Sequence, residues 1–198
     1  EMSAVWSETA RFQAMLEIEI LACEAWAKLG RIPTSAAAVI RRKARFNVAR
    51  IHANEKKNHH EIIAFLEEVQ RHVGPTGRFI HMGLTSSDVM DTAASLQCVQ
   101  ALDVLLPKAT RLEKALARLA RRYRDTPCIG RSHGIHAEPV TFGWKMAGLY
   151  AEARRSTERL KRAREAIAVG KISGAVGPYV HIAPRVEPFV CRKLGLRP

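Results

Sequence analysis

Hydrophobic positions recur along this chain at the three- and four-residue spacing of helices and hardly anywhere with the alternation of strands. Between Ser7 and Leu29, one stripe is Phe12, Leu16, Ile20, Cys23 and Ala27, and a second is Met15, Ile18, Ala22 and Trp26. Apolar character on two faces predicts a helix covered by more than one neighbour, stopped by Gly30. Pro33 and Thr34 open a short helix through Lys43, and Asn47 caps another that starts near Val48. Ile62, Ile63, Leu66 and Val69 mark a helix ending at Gly74-Pro75. From Ser86 the stripe Val89, Ala93, Leu96, Val99, Leu102 and Leu106 runs to Pro107, whose ring and missing N–H predict a kink or an end. Leu112, Leu116, Leu119 and Tyr123 then predict a further helix up to Asp125-Thr126-Pro127. The longest pattern is expected from Pro139, at a first helical position, to Val169, with Met146, Leu149, Ala153, Leu160, Ala163 and Ile167 inward and Gly170 as the stop. Its length, on the order of 45 Å at 1.5 Å per residue, is that of a bundle helix. The expected fold class is all-α.

Composition agrees with that picture and narrows the rest. With 198 residues, 47% of them hydrophobic, the chain can bury a core, which excludes a disordered or fibrous protein. Cys23, Cys98, Cys128 and Cys191 share no metal-ligand spacing and read as scattered buried thiols in a reducing compartment. No run approaches the roughly 18 apolar residues of a membrane span, and no basic patch precedes an apolar leader, so a soluble cytoplasmic protein is expected, without a membrane partner. The net charge of +13 invites a nucleic-acid reading. The distribution argues against it: Arg118, Arg121, Arg122, Arg154, Arg155, Arg159, Lys161, Arg162 and Arg164 fall within helical patterns, several among Glu152, Glu158 and Glu165, as on solvated helix faces. The chain begins at Glu1 and stops at Leu196-Arg197-Pro198 without a closing element, and is expected to be a piece of a longer protein.

Two turns concentrate the chemistry. Gly130-Arg131-Ser132-His133-Gly134-Ile135-His136-Ala137-Glu138-Pro139 places two imidazoles, a guanidinium and a carboxylate around two glycines. Gly83-Leu84-Thr85-Ser86-Ser87-Asp88 leads into a long helix, with hydroxyls and a carboxylate where backbone N–H groups would be free to bind an anion. The loop Lys171-Ile172-Ser173-Gly174-Ala175-Val176-Gly177-Pro178 offers backbone donors and a lysine, but not the arrangement of a phosphate-binding loop. A metal hydrolase built on His59, His60, His133 and His136 fails on spacing, and Ser86 and Ser132 lack the nucleophile elbow of a serine hydrolase. Taken by themselves, His59 and His60 read first as surface histidines, and His81 is equally well explained as a packed, hydrogen-bonded residue. What remains is acid–base chemistry on a polyanion, ranked above a basic helical interaction module.

The runs Gly83 to Thr92 and Gly130 to Pro139 closely resemble the first two signature regions of the adenylosuccinate lyases, within the fumarase/aspartase superfamily. The resemblance extends through the Lys171 to Gly177 loop. It implies an N-terminal helical domain over 1–84, followed over 85–198 by the first part of a central long-helix bundle of the fumarase/aspartase type. It also implies a homotetramer whose active sites each draw on three subunits, no metal or organic cofactor, and release of fumarate from a succinylated purine nucleotide by C–N cleavage. His133 matches the family's general acid and His60 its supporting histidine. His59 and Glu61 flank His60 in the binding segment, His81 matches a histidine near the phosphate, and Thr85 and Ser86 match residues that hold a carboxylate. Three features depart from the pattern. His59-His60-Glu61 stands where a basic residue, His and Asp are usual. The Gly-Ser-Ser-x-Met-Pro-x-Lys-x-Asn loop that carries the general-base serine is missing, as is the N-terminal Arg-Tyr pair. The 198 residues alone are therefore expected to be inactive.

Overall fold

The computed structural model describes residues 1–198, which fall into two compact units, residues 1–100 with 167–198, and residues 101–166. The chain is mainly helical, as the periodicity predicts, with one two-stranded sheet.

In the first unit, α1 (Met2–Val5), α2 (Glu8–Lys28), α3 (Thr34–Lys43), α4 (Val48–Asn58) and α5 (Glu61–Val73) are followed by a 3₁₀ turn at Gly74–Phe79 and the start of α6 (Ser86–Arg122). Ser7 caps α2 by accepting the Ala10 N–H at 3.1 Å, and Asn47 caps α4 by accepting that of Arg50 at 3.2 Å. Both predicted stripes of α2 are buried apart from the half-buried Ala27, and the helix packs on α3 and on the C-terminal helix α8 (Val186–Leu194). The core gathers Phe12, stacked on Phe65 at 5.6 Å, with Met15, Ile18, Ile40, Val69, Val89 and Ile172. Full burial of each such side chain is worth about 1.5–3 kcal/mol, so this cluster dominates the unit's stability. Val169 pairs with Arg197 in a parallel bridge, tying the returning chain down beside α8.

The second unit holds the later part of α6, strands β1 (Pro127–Ser132) and β2 (Ile135–Thr141), and most of α7 (Phe142–Ile167). Two expectations are corrected here. Pro107 neither ends nor replaces a helix: α6 runs through it for 37 residues, because losing one backbone hydrogen bond is outweighed by strong helix formers on both sides. Pro139 does not open a helix: it lies in β2 opposite Ile129, and α7 starts three residues later and ends at Ile167, before Val169. The ribbon is antiparallel and carries an irregularity between Ile129 and Arg131, where a Cβ on Gly130 would meet the Glu138 carbonyl oxygen at 2.6 Å. A proline is tolerated in a two-stranded ribbon because every strand is an edge. The ribbon is anchored where Phe142 N–H donates to Thr126 O and Gly143 N–H to Tyr123 O, each at 2.8 Å, with the Phe142 and Tyr123 rings edge to face.

By length and mean hydropathy, α6 contains an 18-residue window apolar enough to cross a membrane. The same helix buries Asp88, Thr92 and Gln97 against partners within the first unit, as an interior helix does.

Candidate active site

The Gly83 turn is built by Asp88, the carboxylate at the end of that run. Its carboxylate is fully buried and accepts four hydrogen bonds. Oδ2 takes the N–H of Thr85 and of Gly174, each at 3.0 Å, and Oδ1 takes Lys171 Nζ at 2.7 Å and the Ser173 N–H at 3.1 Å. Thr85 precedes the first residue of α6 and Asp88 is its third, so the carboxylate reaches back to the helix mouth as in a capping box. Lys171 Nζ also donates to Gly174 O at 2.9 Å, while the Thr92 hydroxyl bonds both the N–H and the carbonyl of Lys171. The turn at 83–88 and the loop at 171–177, far apart in the chain, are thereby one structure. Gly83 lies against the chain just beyond that loop. At φ +79°, a Cβ there would lie 2.3 Å from the His181 carbonyl oxygen. Thr85 and Ser86 are left half-buried at the free N-terminus of α6.

His81 stands just before this turn. Its backbone N–H donates to Glu19 Oε2 at 2.9 Å and its Nδ1 lies 2.5 Å from Glu19 Oε1. Burial alone lowers the imidazole's pKa. The hydrogen bond to Glu19, with the charges of Glu19 and Asp88, outweighs it, so the pKa is raised above the ordinary value.

His59 and His60 join α4 to α5. His59 closes α4 in the left-handed region at φ +53°, His60 is the N-cap residue of α5, and both rings are exposed. Glu61, in the first turn of α5, forms an ion pair with Arg11. No hydrogen bond or ion pair joins this segment to His81 or the 83–88 turn.

In the second unit, His133 and Gly134, with φ of +50° and +79°, form the two-residue turn between β1 and β2. Positive φ at both central positions is the type I′ geometry that suits a twisted ribbon. The turn lifts His133 to an exposed apex, with exposed Arg131, Ser132 and His136 beside it on the strands. His133, His59 and His81 are three of only four non-glycine residues in the chain with positive φ, the other being Tyr179. Such backbone outliers concentrate at functional sites. An open groove of about 790 Å³ lies elsewhere in the second unit. It is lined by Lys114, Arg118, Arg121, Arg122 and Tyr150 and by none of these candidates.

Residues 1–197 match a family model described as lyase. The chain belongs to this lyase family. It is 50% identical over 198 residues to an adenylosuccinate lyase of Synechocystis and 49% identical over 197 residues to one of Bacillus subtilis, covering all of this chain and 46% of either relative. Among solved structures, a fumarate lyase from Mesorhizobium superposes with a TM-score of 0.92 at 33% identity, over 99% of this chain and 48% of that one. A 3-carboxy-cis,cis-muconate lactonizing enzyme from Pseudomonas putida gives 0.92 at 30%, over 99% and 47%. The lyase chain thus spans about half the length of the relatives it matches.

Of the two residues that organise this lyase chain, only Glu19 escaped the sequence reading. Asp88 had a visible signal, an acidic side chain three residues after Thr85, whereas Glu19 had none: a carboxylate within an apolar helix stripe reads as a solvated position.

Proposed function

We propose that the complete protein is an adenylosuccinate lyase, which eliminates fumarate from adenylosuccinate to leave AMP, and from the related succinylated imidazole-carboxamide ribotide of purine synthesis. The observation that carries this reading is the identity of about half of all residues with adenylosuccinate lyases across the whole chain. His133 is the general acid. An amine leaving a carbon that becomes part of a double bond needs a proton, and imidazole can supply one near neutral pH. Its exposed place at the apex of a turn leaves the ring free to meet a ligand. His60 supports the acid, with His59 beside it and Glu61 holding the segment through Arg11. His81 takes the substrate's phosphate. Thr85 and Ser86 take a carboxylate at the mouth of α6, where unpaired N–H groups and the helix dipole favour negative charge. The general base and the remaining walls come from chain beyond these residues and from neighbouring copies in a cytoplasmic homotetramer. In that protein residues 1–84 form the N-terminal domain, and residues 85–198 begin the central bundle. Leu112, Ile135, Trp144 and Leu149, large apolar side chains exposed in the second unit, support such an assembly.

The test is an absorbance assay of the complete protein on adenylosuccinate and on argininosuccinate. Turnover of the first alone is expected, and turnover of the second alone overturns the substrate assignment. His133→Gln should lower kcat by at least about 10²-fold, with adenylosuccinate still bound. A variant with near-normal kcat removes His133 from the acid role.

A further inference from the structure

Glu19 belongs to neither signature turn, yet it is buried midway along α2, only 1% exposed, among Met15, Ile18 and Cys23. Its two oxygens do different work on the same residue. Oε2 holds the backbone of His81, which sits in the left-handed region at φ +68°, and Oε1 meets the ring at Nδ1. A ring nitrogen that close to a carboxylate oxygen is the one that carries a proton. The other nitrogen, Nε2, has no hydrogen-bond partner in the chain, and the side chain remains one-fifth exposed. A buried carboxylate without a cation costs several kcal/mol, so the protonated ring completes the packing of α2 as well as opening toward solvent. The charged groups near the ring are Glu19 from α2 and Asp88 from the first turn of α6, and the latter is already occupied by Lys171. Cys23, one turn along from Glu19, is pushed by burial up to about 12 and stays a neutral thiol.

We propose that Glu19 is a positioning residue that holds His81 as an imidazolium and leaves Nε2–H available to a phosphate monoester dianion of the ligand. The proposal rests on the assignment of His81 to the phosphate made above. It explains how a half-buried histidine stays cationic at neutral pH, where burial alone would discharge it. Without the Glu19 charge, desolvation prevails and the ring is neutral once the pH exceeds about 6.5.

The experiment is calorimetric binding of AMP and of adenosine to the complete enzyme between about pH 6 and pH 8.5, for the wild type, Glu19→Gln and Glu19→Asp. Glu19→Gln should bind AMP nearly as the wild type does at the acid end and about tenfold more weakly near pH 7.5, with adenosine unaffected and Glu19→Asp retaining most of the affinity. Because the phosphate titrates identically in every arm, the ratio to wild type isolates the ring. Equal loss for AMP and adenosine at every pH means that Glu19 only supports the fold, and an unchanged ratio means that it does not set the charge; either overturns the proposal. If Glu19→Gln does not fold, His81→Gln serves in its place, and wild-type AMP affinity in that variant is equally fatal. An enzyme that shows the Glu19-dependent preference for AMP but does not cleave adenylosuccinate refutes the lyase reading and leaves this one standing.

Discussion

At Gly83 and Gly134 the same backbone angle has different consequences. Both have φ of +79°, but a Cβ on Gly83 meets the His181 carbonyl oxygen at 2.3 Å, whereas one on Gly134 meets nothing within 4 Å. Gly134→Ala should therefore cost only the strain of the left-handed conformation, about 1 kcal/mol. Gly83→Ala must also displace the backbone at His181, and should cost at least about 3 kcal/mol. Urea unfolding of the two variants measures the difference, and equal midpoints would mean that the His181 backbone does not bear on Gly83. The sequence marked both glycines as turn residues. It did not distinguish them, because His181 lies 98 positions further on and no local pattern points to it. The same holds for Asp88, whose capping relation to Thr85 is local while its bond to Lys171 spans 83 residues.

Along α6 the expected end at Pro107 did not occur, where an intrinsic preference met a long helix. Pro107 removes one N–H and strains the preceding turn, yet the helix continues. Pro107→Ala restores that bond at a site with no other visible use, and should raise stability by about 1–3 kcal/mol. A lower unfolding midpoint would show that the proline ring itself is needed for packing. The ribbon of β1 and β2 was missed for a different reason. Its residues are mostly exposed on both faces, so it lacks the apolar alternation by which a strand is recognised, and its only local signal was His133-Gly134, a pair able to take positive φ twice. Where one or two faces are buried, as in α2 to α5, periodicity and caps located the helices to within a residue or two.

For the molecule as a whole, buried ion pairs set the response to pH. His81 has a folded-state pKa above its unfolded value, so its stabilisation is complete below about pH 6.5 and fades as pH rises through the raised value. Glu68 is buried beside Arg71 and His72. Burial would raise its pKa, but hydrogen bonds from both neighbours prevail and hold it below the usual carboxylate range. Its stabilisation is present above about pH 4.3 and is lost as pH falls through the depressed value. Stability should therefore peak between about pH 4.3 and pH 6.5 and decline on both sides. Below about pH 8.5 the thiols of Cys23 and Cys191, which burial pushes up to about 12 and about 11, add nothing to the alkaline decline. Urea midpoints measured across that range should fall between about pH 6.5 and pH 8.5 in the wild type and much less in His81→Gln; parallel curves would dismiss the imidazole as the cause.

The order of the helices, most of their ends, the identity of the two chemical turns and the family to which they belong were all determined by the chain's own residues. These depend on spacing and on neighbours within a few positions, and are therefore legible in one dimension. Only the folded chain decided that Asp88 would fasten the 83–88 turn to the loop at 171–177, that Glu19 would sit against His81, and that Glu61 would be bound to Arg11. Each of these joins groups 50 or more residues apart. In each, a charge loses water and must find its partner across the core, and which partner it meets is set by how the helices pack.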